Sequence, residues 1–166
     1  MIGRVAVEPD DEAFVRLAAR ASLTADPRRV VDLLNGADGP WGGMPVTGAP
    51  GGLRRHLVDL QLPVGDARHP LTAFRRAALL DIGPAERLAE SWVAEIGWRA
   101  ARGQPLFPVF AGRLWVELDG LRIEGLYAPP GGLVGRAADR MLLHLAANGT
   151  ARWLLAELDR AAISGA

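Results

Sequence analysis

The sequence contains neither cysteine nor lysine, and these absences exclude several kinds of chemistry. Without cysteine the chain has no disulfide, no thiolate nucleophile and no thiolate metal site. Without lysine it has no Schiff base and no Walker-type phosphate-binding lysine. The 19 basic residues are therefore all arginine, and because 19 acidic residues balance them, the formal net charge is zero. Charge alone thus gives no reason to expect a nucleic-acid or anionic-membrane partner.

Long apolar runs are also lacking. Arg, Asp or Gly interrupts the best runs well before the ~20 apolar residues that span a membrane. The N-terminus turns acidic before a signal-peptide core can form, so we expect a cytoplasmic protein. The chain does contain 49% hydrophobic residues in a length of 166, which suffices for one hydrophobic core. We therefore interpret residues 1–166 as a single domain.

A strand and a short helix are predicted near the N-terminus. Residues 14–23 alternate between apolar and polar side chains, which is the period of a β-strand. After them, Asp26 is a suitable N-cap, Pro27 suits the first helical position, and Gly36 suits the end of a helix. The predicted order is therefore strand, then helix.

Glycine and proline dominate residues 36–52, with seven glycines and three prolines. This composition predicts a long loop in which no regular element persists. Loops of this length in compact domains are usually functional lids or mobile connections. Trp41 and Met44 suit either interpretation, because exposed they fit a lid and buried they anchor the loop in the core.

From residue 53 onwards the apolar pattern has a period of two, which indicates strands. Five strands are predicted, over residues 53–63, 71–82, 90–101, 106–118 and 121–128. The dipeptide Asp119-Gly120 separates the last two and is a strong hairpin signal. Consecutive strands joined by short turns favour an antiparallel meander over a parallel sheet.

The pattern changes to a helical period over residues 133–162, a length of about 45 Å if the helix is continuous. The predicted apolar face consists of Val134, Ala138, Met141, Leu142, Leu145, Gly149, Trp153 and Leu154. Asn148-Gly149 is a place where this helix could kink or divide. Gly149, together with Gly125 in the preceding strand, is predicted to allow a close approach of helix to sheet.

The order strand, short helix, loop, meander and long helix is that of the helix-grip fold. The end of the chain adds more specific features, which are Gly125-Leu126-Tyr127, Pro129-Pro130-Gly131, Gly135, Asp139 and an alanine-rich helix with Thr150. With these features the chain resembles the SRPBCC superfamily, which includes START-type lipid-transfer domains, polyketide cyclases and pollen-allergen-like proteins. The resemblance implies an α+β fold with a curved antiparallel β-sheet wrapped around the C-terminal helix. It also implies a cavity for an apolar or amphipathic small molecule.

Several familiar motifs are missing. The glycines after residue 130 do not have the GxGxxG spacing of a dinucleotide-binding turn, and no strand follows to complete a βαβ unit. His56, His69 and His144 lack the spacing of metal ligands. None of the serines lies in a GxSxG elbow. We therefore expect no metal, no cofactor and no serine-hydrolase triad.

Strand parity predicts which side chains face the core. Around the hairpin the predicted inward residues are Leu114, Val116, Leu118, Leu121, Ile123, Gly125 and Tyr127. Two polar residues, His56 and Arg76, fall on otherwise apolar faces. Either they lie near strand ends and reach solvent, or they serve as polar groups of an apolar pocket, because unpaired buried charge is costly. The candidate ligand-binding residues are Arg76, Tyr127, His56, Trp92, Trp98 and Met141.

Three functions stay open. The first is a binding module that holds a hydrophobic or amphipathic small molecule between sheet and helix without turnover. The second is a polyketide cyclase- or aromatase-like enzyme in which Arg76, His56 or Tyr127 polarises a carbonyl or moves a proton. The third is an assembly subunit with a filled cavity and the outward Trp115 as an interface anchor, which leaves a homodimer possible.

Overall fold

The computed structural model describes residues 14–64, 71–102, 109–128 and 137–165, with the backbone alone for 62–64, 71–74 and 137–143. In chain order the elements are β1 (Val15–Ser22), α1 (Pro27–Asn35), β2 (Met44–Val46), β3 (Arg54–Val64), β4 (Leu71–Ile82), β5 (Glu86–Leu88), β6 (Ser91–Ala100), β7 (Val109–Val116), β8 (Gly120–Ala128) and α2 (Ala137–Ser164). The strands predicted from the two-residue period are therefore confirmed. The predicted residues 106–108 and 133–136 lie outside the described part.

All the strands belong to one open antiparallel sheet. Its order is β1-β8-β7-β6-β4-β3-β2, and β5 pairs with β6 off this path. The last strand lies beside the first, with Val15 opposite Tyr127 and Ser22 opposite Gly120. The helix α2 lies closest to β3 and β1 and also contacts β8. The fold is therefore α+β, with one antiparallel sheet and a C-terminal helix in a helix-grip-like arrangement, as predicted.

The sheet has an inner face, which contributes the buried core, and an outer face. The inner side chains of successive strands pack with those of α1 and α2 in a single cluster. Its large fully buried members are Trp98, Tyr127, Phe110, Leu17, Leu34, Leu60, Leu80, Ile82, Leu114, Leu121, Ile123 and Leu154. The outer face carries most of the arginines and carboxylates of the strands. This alternation is the physical reason for the two-residue period in the sequence.

The short helix α1 has the ends that the sequence predicts. The Asp26 carboxylate accepts a hydrogen bond from the backbone N–H of Arg28 at 2.8 Å. At the other end, the Arg54 guanidinium donates to the carbonyl oxygens of Leu34 and Gly36. These carbonyls have no partner within the helix, so a charged donor stabilises this end.

The loop of residues 36–52 differs from the prediction in one respect. It contains the strand β2, in which Met44 pairs with Leu57 of β3, because a three-residue strand at the sheet edge needs little regular sequence. The indole N–H of Trp41 donates to the carbonyl oxygen of Leu154 in α2 at 3.0 Å. Trp41 therefore anchors the loop on the C-terminal helix, whereas Met44 is exposed.

The predicted hairpin is confirmed, but its turn lies one residue earlier. The backbone N–H of Glu117 donates to the carbonyl oxygen of Gly120 at 2.9 Å, so Leu118 and Asp119 are the two turn residues. Leu118, predicted to face inwards, is consequently 73% exposed. Strand parity does not apply to a residue beyond the end of the strand.

The helix α2 is continuous through Asn148-Gly149, but part of its predicted inner face was wrong. Leu145 is 58% exposed. The buried side chains in the described part of α2 are Ala147, Thr150, Ala151, Leu154, Leu155, Leu158 and Ala162. Because α2 carries apolar residues on more than one of its faces, the sequence alone does not decide which face is buried. The face that is buried begins with small side chains. In the described residues, neither helix combines the length and hydropathy needed to cross a membrane.

Candidate functional site

A row of aromatic side chains crosses the inner face of the sheet. Trp98 on β6 lies opposite Phe110 on β7, and Phe110 lies opposite Tyr127 on β8. The rings of Trp98 and Phe110 stack, with centroids 4.0 Å apart and planes inclined by 20°. On the other side, the row continues through Leu80 on β4 to His56 on β3. The register therefore places three of the predicted site residues, His56, Trp98 and Tyr127, in one row.

Two glycines make room for the Phe110 ring. Gly112 and Gly125 lie opposite each other, and a Cβ on either would come within 2.6 to 2.8 Å of the Phe110 Cζ atom. A Cβ on Gly125 would also overlap the carbonyl oxygen of Ala111. The atoms nearest to a Cβ on Gly125 therefore belong to β7, and the predicted close approach of the helix at Gly125 and Gly149 stays a prediction.

Tyr127 ends this row at a polar contact with α2. Its hydroxyl oxygen is 3.5 Å from His144 Nδ1, and His144 Nε2 is 2.9 Å from the side-chain nitrogen of Asn148. With Asn148 as donor, Nε2 accepts, so the imidazole proton is on Nδ1 and points to the tyrosine oxygen. If the side-chain amide of Asn148 is rotated by 180°, its oxygen accepts from His144 Nε2–H, and Nδ1 then accepts from the Tyr127 hydroxyl. Tyr127 can therefore donate or accept within this chain.

The environment of Tyr127 keeps its hydroxyl protonated. The residue is 2% exposed, and burial raises the pKa of the phenol above its ordinary value because the phenolate would lose its hydration. His144 and Asn148 are only half-buried, so the polar chain lies at the margin of the core. A ligand atom that reached this margin would find a neutral hydrogen-bonding group beside flat apolar rings.

His56 is buried under the loop of residues 36–52. Neither ring nitrogen has a hydrogen-bond partner in the described part of the chain. Burial lowers the pKa of His56, the Arg54 charge lowers it further, and the Gly43 backbone and the Asp38 carboxylate oppose the shift. Gly39, at φ +66°, packs so closely that a Cβ would lie 3.0 Å from the imidazole Cε1 atom. His56 is therefore a neutral side chain enclosed by the loop.

The other predicted site residues lie apart from this row. Arg76 is opposite Leu60 in the middle of β4, but its side chain is exposed, and β6 pairs with β4 only from Ala78 onwards. Trp92 is six residues from Trp98 along β6, about 20 Å away. Its ring lies 5.2 Å from the Arg87 Cζ atom. The side chain of Met141 lies outside the described residues.

Trp115 is on the outer face, as predicted, but it is not freely exposed. The Arg122 guanidinium carbon lies 4.7 Å from the centroid of its ring, and Arg122 in turn forms ion pairs with Glu117 and Glu124. The charged groups above the indole reduce its value as an apolar interface anchor.

His144 and Asn148 were not predicted from the sequence as members of a site. Their spacing of four residues on a predicted helix places them on one face and was a usable signal. His144 was considered only as a metal ligand, and the predicted inner face of the helix did not include it. In the described residues, no cluster of His, Asp and Glu could hold a metal ion.

Among the clefts lined by described residues, two open to the surface have volumes of about 480 and 400 Å³. The larger lies on the outer face of β6 and β7, and the smaller lies at the β3 edge beside Trp41 and Trp153. Neither includes Tyr127 or His144. A ligand cavity between sheet and helix therefore stays a prediction.

Comparison with known proteins adds no family to these observations. No protein-family model matches the chain, and no curated protein sequence matches it. The resemblance to the SRPBCC superfamily consequently stays a prediction.

Proposed function

We propose that this protein binds an apolar or amphipathic small molecule on the inner face, between the sheet and α2, and releases it unchanged. The observation that carries the proposal is the contact between Tyr127 and His144. At 3.5 Å it is at the outer limit of a hydrogen bond, although the tyrosine hydroxyl is buried in the apolar core. A buried hydroxyl with so weak a partner has hydrogen-bonding capacity left for a ligand.

The surrounding residues suit a ligand with one polar atom. Trp98 and Phe110 provide flat apolar surface in the same row as Tyr127. The protonated phenol is a donor, so it favours a carbonyl or hydroxyl oxygen over a cationic group. Pockets for small molecules generally combine apolar walls with a few such polar groups.

Release without turnover is supported by the chemistry of these side chains. The raised pKa of Tyr127 makes it a poor base at neutral pH. Arg76 is exposed to solvent, and a guanidinium is poorly suited to act as a general base. These groups orient a ligand more readily than they transform it.

One observation favours a second candidate, a polyketide cyclase- or aromatase-like enzyme. His144 is within hydrogen-bonding reach of Tyr127 and connects it to Asn148. Such a pair could deliver a proton to a ligand carbonyl and recover it through the imidazole. Multiple turnovers of a poly-β-ketone substrate, lost in both His144→Gln and Tyr127→Phe, would replace the binding proposal with this one.

The binding proposal is tested with two probes of matched shape, 2-acetylnaphthalene and 2-ethylnaphthalene. We expect both to bind, and Tyr127→Phe to weaken only the acetyl compound, by about fivefold, as loss of one hydrogen bond implies. Trp115→Phe on the outer face is the control and should change neither affinity. The proposal would be overturned if neither probe bound to the protein. It would also be overturned if wild type and Tyr127→Phe bound 2-acetylnaphthalene with equal affinity.

A further inference from the structure

The outer face of the sheet contains a cleft whose lining includes neither Tyr127 nor His144, although Trp98 and Phe110, whose side chains lie on the inner face, also belong to it. Its volume is about 480 Å³, within the range of small-molecule sites. Its floor is the cross-strand pair Gly97 and Ala111, where neither residue carries a side chain beyond Cβ. The result is a flat strip of peptide backbone between larger neighbours on β6 and β7.

One wall of the cleft is a turn that is fixed in place. Pro50 and Leu53, from the turn between β2 and β3, line the cleft with Asp81 of β4. Arg55 holds this turn, because its guanidinium donates a hydrogen bond to the Gly48 carbonyl oxygen at 2.9 Å. The same guanidinium donates two hydrogen bonds to the Asp81 carboxylate, at 2.6 and 2.7 Å. Arg55 is only 8% exposed. The bidentate geometry makes the wall a rigid part of the fold.

Two arginines at the cleft, Arg55 and Arg113, have carboxylates beside them. The hydrogen bond to Asp81 raises the pKa of the Arg55 guanidinium, which favours its charged form. Arg113 lies opposite Glu95 on β6 and opposite Glu124 on β8.

Arg99 has no such neighbour. The residue opposite it on β4 is the apolar Leu79, and no carboxylate of the described residues forms an ion pair with it. Its side chain is exposed at the end of the cleft. The lining therefore presents the Arg99 guanidinium, which forms no ion pair with a described residue, beside a flat floor and the apolar side chains of Pro50 and Leu53.

We propose that this cleft binds a small planar aromatic or apolar anion, such as an aromatic carboxylate. The ring lies on the Gly97 and Ala111 floor against Pro50 and Leu53, and the acid group pairs with Arg99. A guanidinium is suited to this task because its two parallel N–H groups match the two oxygens of a carboxylate. The site is separate from Tyr127, so it does not depend on the proposed inner-face function.

The test uses 2-naphthoate and its neutral methyl ester, with binding followed by calorimetry and by backbone amide shifts. We expect wild-type protein to bind 2-naphthoate in preference to the ester, with shift changes in β6 and β7. Arg99→Gln should weaken 2-naphthoate about tenfold, as loss of a charged hydrogen bond implies. Ala111→Leu, which fills the floor from the solvent side, should abolish its binding.

Matched controls lie on the same face of β1, away from the cleft. Arg20→Gln and Ala18→Leu replace exposed residues of the same types and should leave 2-naphthoate affinity unchanged. Tyr127→Phe should also leave it unchanged, which separates failure of this proposal from failure of the inner-face proposal. Equal affinity in wild type and Ala111→Leu, or no binding of 2-naphthoate by wild type, would overturn the inference.

Discussion

Tyr127 on β8 and His144 on α2 face each other across the interface between the sheet and the C-terminal helix, with Oη and Nδ1 3.5 Å apart. The sheet register places Tyr127 beside Phe110, and the four-residue spacing on α2 places Asn148 behind His144. The contact therefore requires both elements to be correctly packed. It is also a place where the core contains a weakly bonded hydroxyl, as the buried Thr150 hydroxyl is at 3.5 Å from the Gln61 carbonyl oxygen.

The weakness of this contact predicts a small effect on stability. Tyr127→Phe should lower the free energy of unfolding by less than about 1 kcal/mol, since a contact of 3.5 Å contributes little. Phe110→Leu should cost about 1 to 3 kcal/mol, because it removes a ring stacked on Trp98. Urea denaturation measures both. If Tyr127→Phe costs as much as Phe110→Leu, the hydroxyl is a structural group and is not free for a ligand.

The enclosure of His56 predicts a pH-dependent stability. Its pKa in the folded protein is lowered, so the unfolded chain binds the proton first as the pH falls below about 6.5. The free energy of unfolding should therefore decrease from pH 6.5 towards the lower folded pKa, and His56→Leu should show a smaller decrease.

At pH 8 the same variant tests whether the ring nitrogens are truly unpartnered. His56→Leu should then stabilise the protein by about 1 kcal/mol, because it removes buried polar atoms that have no hydrogen bond. Urea denaturation at pH 8 and at pH 5.5 gives both numbers. Destabilisation at pH 8 would show that the imidazole has a partner or fills its space better than leucine.

The crowding at Gly125 predicts a strong dependence on glycine. Gly125→Ala should destabilise the fold by about 2 to 3 kcal/mol, because its Cβ would overlap the Ala111 carbonyl oxygen and approach the Phe110 ring. Gly165→Ala, where the nearest atom to a Cβ is at 3.4 Å, is the control and should change stability little. Thermal and urea unfolding report both changes. Similar costs for the two variants would mean that β7 and β8 can separate without penalty.

The anchor of the loop on α2 predicts a difference between two tryptophans. Trp41→Phe removes the hydrogen bond to the Leu154 carbonyl oxygen and should cost about 1 kcal/mol. It should also speed amide hydrogen exchange in β2. Trp115→Phe should cost less, because its indole N–H has no partner in the described residues. Unchanged exchange in β2 after Trp41→Phe would show that the loop is held by other contacts.

Local signals in the sequence predicted much of the fold. The cap at Asp26, the proline at position 27 and the alternation within each strand act over a few residues, so they are visible without any knowledge of the tertiary structure. The hairpin was predicted in the same way. Its turn was misplaced by one residue because Leu118 and Gly120 are both compatible with the neighbouring strands.

The features that the sequence did not predict depend on distant contacts. The pairing of β1 with β8 joins residues more than a hundred positions apart, as Val15 and Tyr127 show. The short strands β2 and β5 exist because longer neighbours supply their partners. The inner face of α2 was ambiguous because apolar residues surround the helix, and this ambiguity concealed His144.

The most direct test of the inner-face proposal is a measurement of intermolecular NOEs between 2-acetylnaphthalene and protein labelled on its aromatic rings. The proposal predicts NOEs from the ligand methyl group to the Tyr127 ring. It also predicts NOEs from the naphthalene rings to Phe110 and Trp98. A bound ligand whose NOEs go only to outer-face residues, or none to the Tyr127 ring, would contradict it.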